Sequence, residues 1–221
     1  KVLDKRVDAD FNTLSILRES LPFSLAGLFH FIYFQSDLIL IAYLASPTQA
    51  GLYGLAAMIV SGILMFPTVF YQRYFLFKLH QWSSYDHDLF IKIFKRGILI
   101  SAFFGVIAFL LVLFSANSFI PIIFGAEYLS SVDFLEVLSI TILISYLTTA
   151  LGATITVGSE SKTKAKIMCF AAIAKVILNI YFILVYGALG AAYATIMSSL
   201  LVLLMYSWAS NVFVKRLSAN S

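Results

Sequence analysis

Six apolar stretches alternate with short polar segments along the chain. The hydrocarbon core of a bilayer is about 30 Å thick, and a helix needs about 20 apolar residues to cross it. Each stretch meets that length, and it must be helical because lipid offers backbone groups no hydrogen-bond partners. The pattern therefore predicts an all-α integral membrane protein with six transmembrane helices. The predicted helices occupy residues 21–44, 50–71, 97–115, 134–153, 167–186 and 188–208.

Lysine and arginine occur only in the two tails and in every second connecting segment, with the single exception of Lys175. Cytoplasmic loops of membrane proteins carry this excess of basic residues. The charges predict a cytoplasmic lead-in at residues 1–20, a six-helix bundle at residues 21–210 and a cytoplasmic tail at residues 211–221. Both termini then lie in the cytoplasm. The basic, aromatic loop at residues 72–96 is expected to lie on the membrane surface at the same side.

Composition supports a membrane protein and excludes several other classes. The chain is 61% hydrophobic and 12% charged, with a mean hydropathy of +0.95, which is too apolar for a soluble domain. Its net charge of +4 comes from bases along the expected cytoplasmic margins, so we expect contact with anionic membrane lipids and no nucleic acid. The single cysteine, Cys169, excludes an intrachain disulfide.

Two features shape the expected bundle. Residues 117–133 carry acids and no base, which predicts an external link with a short interfacial segment. Gly190, Ala194 and Ser198 recur every four positions on the sixth predicted helix. Small residues at this spacing let helix backbones approach closely in a membrane.

Asp37 is an ionisable residue inside the first predicted helix, about 24 Å beyond Leu21. A charge at such a depth is costly unless it faces water or a partner. His30 precedes it by two helical turns on the same face. We interpret Asp37 and His30 as candidates for a cation- or proton-coupling site. The alternative is that both only support helix packing.

Lys175 lies inside the fifth predicted helix, about 13 Å beyond Lys166 and therefore near mid-membrane. Asn179 follows four residues later on the same face. An ammonium and an amide on one wall suit a phosphate group or sugar hydroxyls. The alternative is a buried ion pair that orients helices. Because the estimated depths of Asp37 and Lys175 differ, we do not expect these two residues to pair directly.

Motifs that would indicate catalysis are missing from the sequence. It contains no G-x-S-x-G nucleophile elbow, no H-E-x-x-H zinc motif, no Cys/His metal cluster and no phosphate-binding loop. We therefore expect no enzymatic activity, no metal ion and no cofactor.

Three blocks of sequence follow one another in a characteristic order. They are LRESLP at residues 17–22 with Asp37 and AGLY at 50–53, then IPIIFGAEYLSS at 120–131, then Asn179 with YGALGAAYAT at 186–195. Together they resemble the second half of polysaccharide flippases, the translocases of O-antigen and other lipid-linked oligosaccharides. This family shares its superfamily with the multidrug and toxin extrusion exporters.

The resemblance implies a twelve-helix transporter built from two six-helix bundles around a central cavity. The chain corresponds to one bundle, and the N-terminal six-helix half is then its partner. The implied function is flipping of a polyprenyl-diphosphate-linked oligosaccharide, such as an O-antigen or capsule repeat unit, across the bacterial inner membrane by alternating access. Lys175 suits the anionic headgroup and Asp37 suits ion coupling. A polysaccharide polymerase is a further candidate partner.

Two other functions stay open at this point. One is a multidrug exporter of the same superfamily, although its cavity should be acidic and the deepest charge here is a lysine. The other is a non-transporting scaffold in an envelope polysaccharide synthesis complex, in which Asp37 and Lys175 serve only packing.

Overall fold

The computed structural model describes residues 13–71, 87–157 and 161–219. These ranges are helical, contain no strand, and include six helices long and apolar enough to cross a membrane. The predicted all-α, six-helix fold is therefore confirmed. The helices are α1 (Thr13–Leu44), α2 (Pro47–Phe70), α3 (His87–Ile123), α4 (Ser131–Val157), α5 (Ser161–Tyr186) and α6 (Ala188–Ala219).

Packing between the helices leaves a large apolar surface. The helix α4 lies against α2, α3 and α6, while α5 lies between α1 and α6. The buried core includes Ile41, Leu135 and Ile142. Large apolar side chains such as Phe114 and Ile122 remain exposed on the outside, as expected where the surrounding solvent is hydrocarbon rather than water.

Two hairpins are closed by very short turns. Between α1 and α2, the Ser46 hydroxyl accepts a hydrogen bond from the Gln49 N–H at 3.2 Å and caps α2, which starts with a proline. Between α5 and α6 only Gly187 intervenes, with a φ of 65° that favours glycine. A Cβ at Gly190 would collide with the backbone carbonyl of Phe182. The close helix approach predicted from the small residues is therefore present at this glycine.

The link predicted at residues 117–133 differs from the observed structure. The helix α3 continues to Ile123 and is followed by a 3-10 turn at Ala126–Tyr128. The polar residues after position 115 lower hydropathy without breaking the helix, because Asn117 donates to the Glu136 carboxylate at 3.2 Å. The break comes only at Gly125, whose φ is 104°.

Some predicted segments lie wholly or partly outside the described residues. Of the surface helix expected at residues 72–96, the structure describes the last part, which is the start of α3. Of the lead-in, residues 13–20 are the first turns of α1.

Candidate functional site

A cavity of about 640 Å³ lies between α1, α2, α4, α5 and α6. Its size falls in the range of small-molecule sites in proteins. Two of the four residues proposed from sequence, Asp37 and Lys175, meet in its wall at one end. A third, Asn179, is fully buried and contacts Asp37 without lining the cavity.

Asp37 organises this end of the cavity through four donors. Lys175 Nζ lies 2.9 Å from Asp37 Oδ2, and the Tyr53 hydroxyl donates to the same oxygen at 2.9 Å. Thr195 Oγ1 donates to Oδ2 at 3.0 Å, while Asn179 Nδ2 donates to Oδ1 at 2.7 Å. We call these five residues the Asp37 cluster. It joins α1, α2, α5 and α6 at one carboxylate.

Tyr33 covers the ammonium group from the α1 side. Lys175 Nζ lies 4.6 Å from the centroid of the Tyr33 ring, within the range of a cation–π contact. The Tyr33 hydroxyl lies 3.5 Å from the hydroxyls of Ser198 and Ser199 on α6. On α1, Tyr33 comes one turn before Asp37. Their partners on α5, Lys175 and Asn179, follow in the same order. The helices α1 and α5 therefore run in the same direction here.

The prediction that Asp37 and Lys175 do not pair is wrong. The predicted depths start from the cytoplasmic ends of the apolar stretches, and these do not coincide with the starts of the helices. Asp37 precedes the α1 end at Leu44 by seven residues, and Lys175 precedes the α5 end at Tyr186 by eleven. The difference is about 6 Å of helix rise, which the long lysine side chain spans.

The Asp37–Lys175 pair is deeply buried, with 5% of Asp37 and 2% of Lys175 exposed. Removing either partner would leave an uncompensated buried charge. An ionised carboxylate offers about four acceptor sites, two on each oxygen, but its donors here are unevenly divided: Oδ2 has three and Oδ1 has one. Asn179 Oδ1 is buried without a hydrogen-bond partner among the described residues. Acceptor capacity therefore remains on Asp37 Oδ1 and on Asn179 Oδ1.

Hydroxyl groups on α4 form another part of the cavity wall. They belong to Thr141, Ser145, Thr148 and Thr149, and their spacing of four, seven and eight residues places them on one helix face. The Thr148 and Thr149 hydroxyls donate to backbone carbonyls one turn earlier at 2.8 Å. Their oxygens remain acceptors that a ligand in the cavity can use. This spacing was visible in the sequence and was missed.

A second lysine, Lys164, also lines the cavity. It lies in the first turn of α5 and is half-buried, whereas Lys166 two residues later is exposed. The sequence prediction treated both as ordinary basic residues of a cytoplasmic turn. The two lysines differ in exposure only because of how α5 packs against its neighbours.

Two further predictions concern His30 and metal binding. The backbone of His30 belongs to α1, but its side chain lies outside the described residues, so its role stays a prediction. Among the described residues, no group of three or more His, Cys, Asp or Glu side chains is placed to hold a metal ion.

Comparison with known proteins places this site in a transporter fold. The solved structure titled as an outward-facing multidrug resistance MATE family transporter of the MOP superfamily matches with a TM-score of 0.72 at 20% identity. The match covers 91% of this chain and 45% of that one. The chain is therefore a multi-pass membrane protein with the fold of MOP superfamily transporters.

Sequence comparison is consistent with this class. The model of the family described as "Polysaccharide biosynthesis protein" matches residues 6–74. An uncharacterized membrane protein of Methanocaldococcus jannaschii is 27% identical over 203 residues, which are 91% of this chain and 46% of that protein. The chain thus spans less than half the length of these relatives. The resemblance to a polysaccharide exporter-type family is confirmed.

Proposed function

We propose that this six-helix bundle, together with a second bundle, flips a polyprenyl-diphosphate-linked oligosaccharide across the bacterial inner membrane by alternating access. O-antigen and capsule repeat units are the expected cargo class. The observation that carries the proposal is a buried Asp37–Lys175 pair at one end of a hydroxyl-lined cavity. Hydroxyls suit a glycan, and a cation suits a diphosphate. The polysaccharide family match at residues 6–74 supports the same cargo class.

The ion pair offers a way to couple proton uptake to binding of the cargo. While Asp37 is ionised, Lys175 is held by it and cannot also grip a headgroup. A proton on Asp37 removes that counter-charge and frees the ammonium for the diphosphate. Proton uptake at Asp37 would then precede headgroup capture at Lys175. Asn179 belongs to the same step, because it donates to Asp37.

The orientation in the membrane is part of the proposal. The basic tails and alternate basic loops support cytoplasmic termini, which puts the α1–α2 and α5–α6 turns outside. A fluorescent protein fused after residue 221 should fluoresce, and alkaline phosphatase at the same position should stay inactive. The reverse result would mean that the bundle has the opposite orientation in the membrane, with its termini outside.

The main experiment uses cells that lack the gene. Lipid-linked oligosaccharides are extracted and assigned to a membrane leaflet, and the gene is then restored as wild type, Lys175→Ala or Lys175→Arg at equal membrane amount. We expect cytoplasmic-leaflet accumulation that wild type cures, Lys175→Arg cures in part and Lys175→Ala leaves in place. Normal leaflet distribution in the deletion strain, with no second flippase present, would sink the proposal.

A drug exporter remains the second candidate. Aromatic rings in the cavity wall favour it, because they can bind organic cations. They belong to Tyr33, Phe34, Tyr53, Tyr71 and Tyr206. Two lysines in the same wall disfavour a cationic cargo. Drug hypersensitivity of the deletion strain without any glycan defect would select the exporter.

A further inference from the structure

The helix α3 is longer than a bilayer requires. Its 37 residues, His87–Ile123, extend over about 55 Å, whereas a bilayer with its headgroups is about 40–45 Å thick. From Leu99 onward α3 carries exposed apolar side chains, including Phe103 and Phe114, which suit the hydrocarbon core. The turns before Leu99 therefore lie at the level of the headgroups or beyond it.

Three basic side chains lie on the outside of these first turns. Lys92, Lys95 and Arg96 are exposed, and none of them forms an ion pair with any residue that the structure describes. Asp88 precedes them at the start of α3, and residues 89–126 contain no aspartate or glutamate. The outer face of these turns therefore carries a net positive charge.

The same face continues from the charges onto an apolar surface. Arg96 lies one helical turn after Lys92, on the same face of α3. Leu99 and Phe103 continue this face three and seven residues after Arg96, and they are 69% and 63% exposed. Cations at the headgroup level thus lie directly beside side chains that face hydrocarbon. A phospholipid has the matching arrangement, because its phosphate lies at the headgroup level and its acyl chains lie in the core.

The opposite side of these turns is fixed to the bundle. Phe90 is fully buried, and its ring centroid lies 6.1 Å from that of Phe213 on α6. The hydroxyl of Tyr71, which follows α2, donates to the Gly97 carbonyl at 3.0 Å. These contacts hold the start of α3 against the rest of the bundle. The basic face therefore has a fixed position and direction.

We infer that this face of α3 binds one anionic phospholipid, such as phosphatidylglycerol. We call it the α3 lipid site, and it consists of Lys92, Lys95, Arg96, Leu99 and Phe103. The guanidinium of Arg96 suits two hydrogen bonds to phosphate oxygens, and each further base near the membrane surface adds attraction for an anionic lipid. The inference goes beyond the proposed function, because it concerns the outside of the bundle and does not depend on the cargo.

The test titrates the purified intact protein, in micelles of a neutral detergent, with dioleoyl-phosphatidylglycerol and measures bound lipid by native mass spectrometry. Dioleoyl-phosphatidylcholine has the same acyl chains without a net charge and is the control lipid. Arg96→Gln should raise the Kd for phosphatidylglycerol about fivefold, and Lys95→Gln with Arg96→Gln about thirtyfold. The matched control is Lys166→Gln, which removes an exposed base near the start of α5 and should change this Kd less than about twofold.

Three results would overturn the inference, and the proposed function would survive each of them. Equal loss of affinity in Arg96→Gln and Lys166→Gln would mean that general surface charge attracts the lipid. Equal binding of the two lipids to wild type would leave the basic face to water or to an acidic protein. Displacement of phosphatidylglycerol by inorganic phosphate at equal concentration would indicate a site for free phosphate, to which the acyl chains contribute nothing.

Discussion

Lys164 and Lys175 lie on the same face of one helix and line the same cavity, yet their surroundings are opposite. Lys175 is buried in the Asp37 cluster with its charge neutralised at 2.9 Å. Lys164 is half-buried in the first turn of α5. The comparison teaches that depth and partners, rather than residue type, decide what a lysine can do in a membrane bundle. For Lys175 to bind another anion, its contact with Asp37 would first have to break.

The largest expected effect comes from breaking the pair on one side. Asp37→Asn leaves the buried Lys175 ammonium without its counter-charge, which should lower the free energy of unfolding by about 3 kcal/mol. A thermal unfolding curve of the detergent-solubilised protein measures the loss. Asp133→Asn, an exposed acid in the first turn of α4, is the matched control and should cost less than about 1 kcal/mol. Equal melting temperatures for the two variants would contradict a structurally important pair.

The double variant Asp37→Asn with Lys175→Gln sharpens this test, because it removes both charges together. Stability should return to within about 1 kcal/mol of wild type, since no uncompensated charge remains. Glycan export should stay lost if the charges serve transport. Recovery of both stability and glycan export would favour the scaffold function, in which the pair only orients helices.

A smaller effect is expected from a change at Gly190, in the hairpin formed by α5 and α6. Gly190→Ala would drive a Cβ into the Phe182 carbonyl, and the shift needed should cost about 2 kcal/mol. The melting temperature should fall. Gly51→Ala is the control, because Gly51 is exposed on α2 and a Cβ there meets no atom within 4 Å. A helical Ala should leave stability equal or slightly higher there. If both glycine variants melt alike, the close approach at Gly190 is unimportant.

The fold could be predicted from the sequence because a bilayer requires apolar helices of a certain length and cytoplasmic loops carry an excess of basic residues. It also selected Asp37, Lys175 and Asn179, since polar groups inside a membrane helix are costly and stand out. It missed the contact between Asp37 and Lys175, because counting along separate helices gives neither their relative offset nor the reach of a side chain. Tyr53 and Thr195 belong to the sequence blocks that carry the family resemblance, but nothing in those blocks indicates a contact with Asp37, as tyrosine and threonine are ordinary in membrane helices.

The wall of hydroxyls and the length of α3 were missed for related reasons. Ser and Thr are common in membrane helices because they can bond their own backbone, so a stripe of them is noticed only when a cavity faces it. The polar residues near Asn117 lowered hydropathy and were interpreted as a helix end. The helix nevertheless continues through them, and Asn117 contacts Glu136 of the next helix.

The short turns at Ser46 and Gly187 have a mechanical consequence. Each ties its two helices into one unit, so that Asp37 and Tyr53 belong to the first hairpin, while Lys175, Asn179 and Thr195 belong to the second. Three of the four bonds to the carboxylate therefore cross from one hairpin to the other. Sliding the hairpins apart would break these three bonds together rather than one by one. The Asp37 cluster thus joins the two hairpins at a single carboxylate, and any relative movement of the hairpins has to break it as a whole.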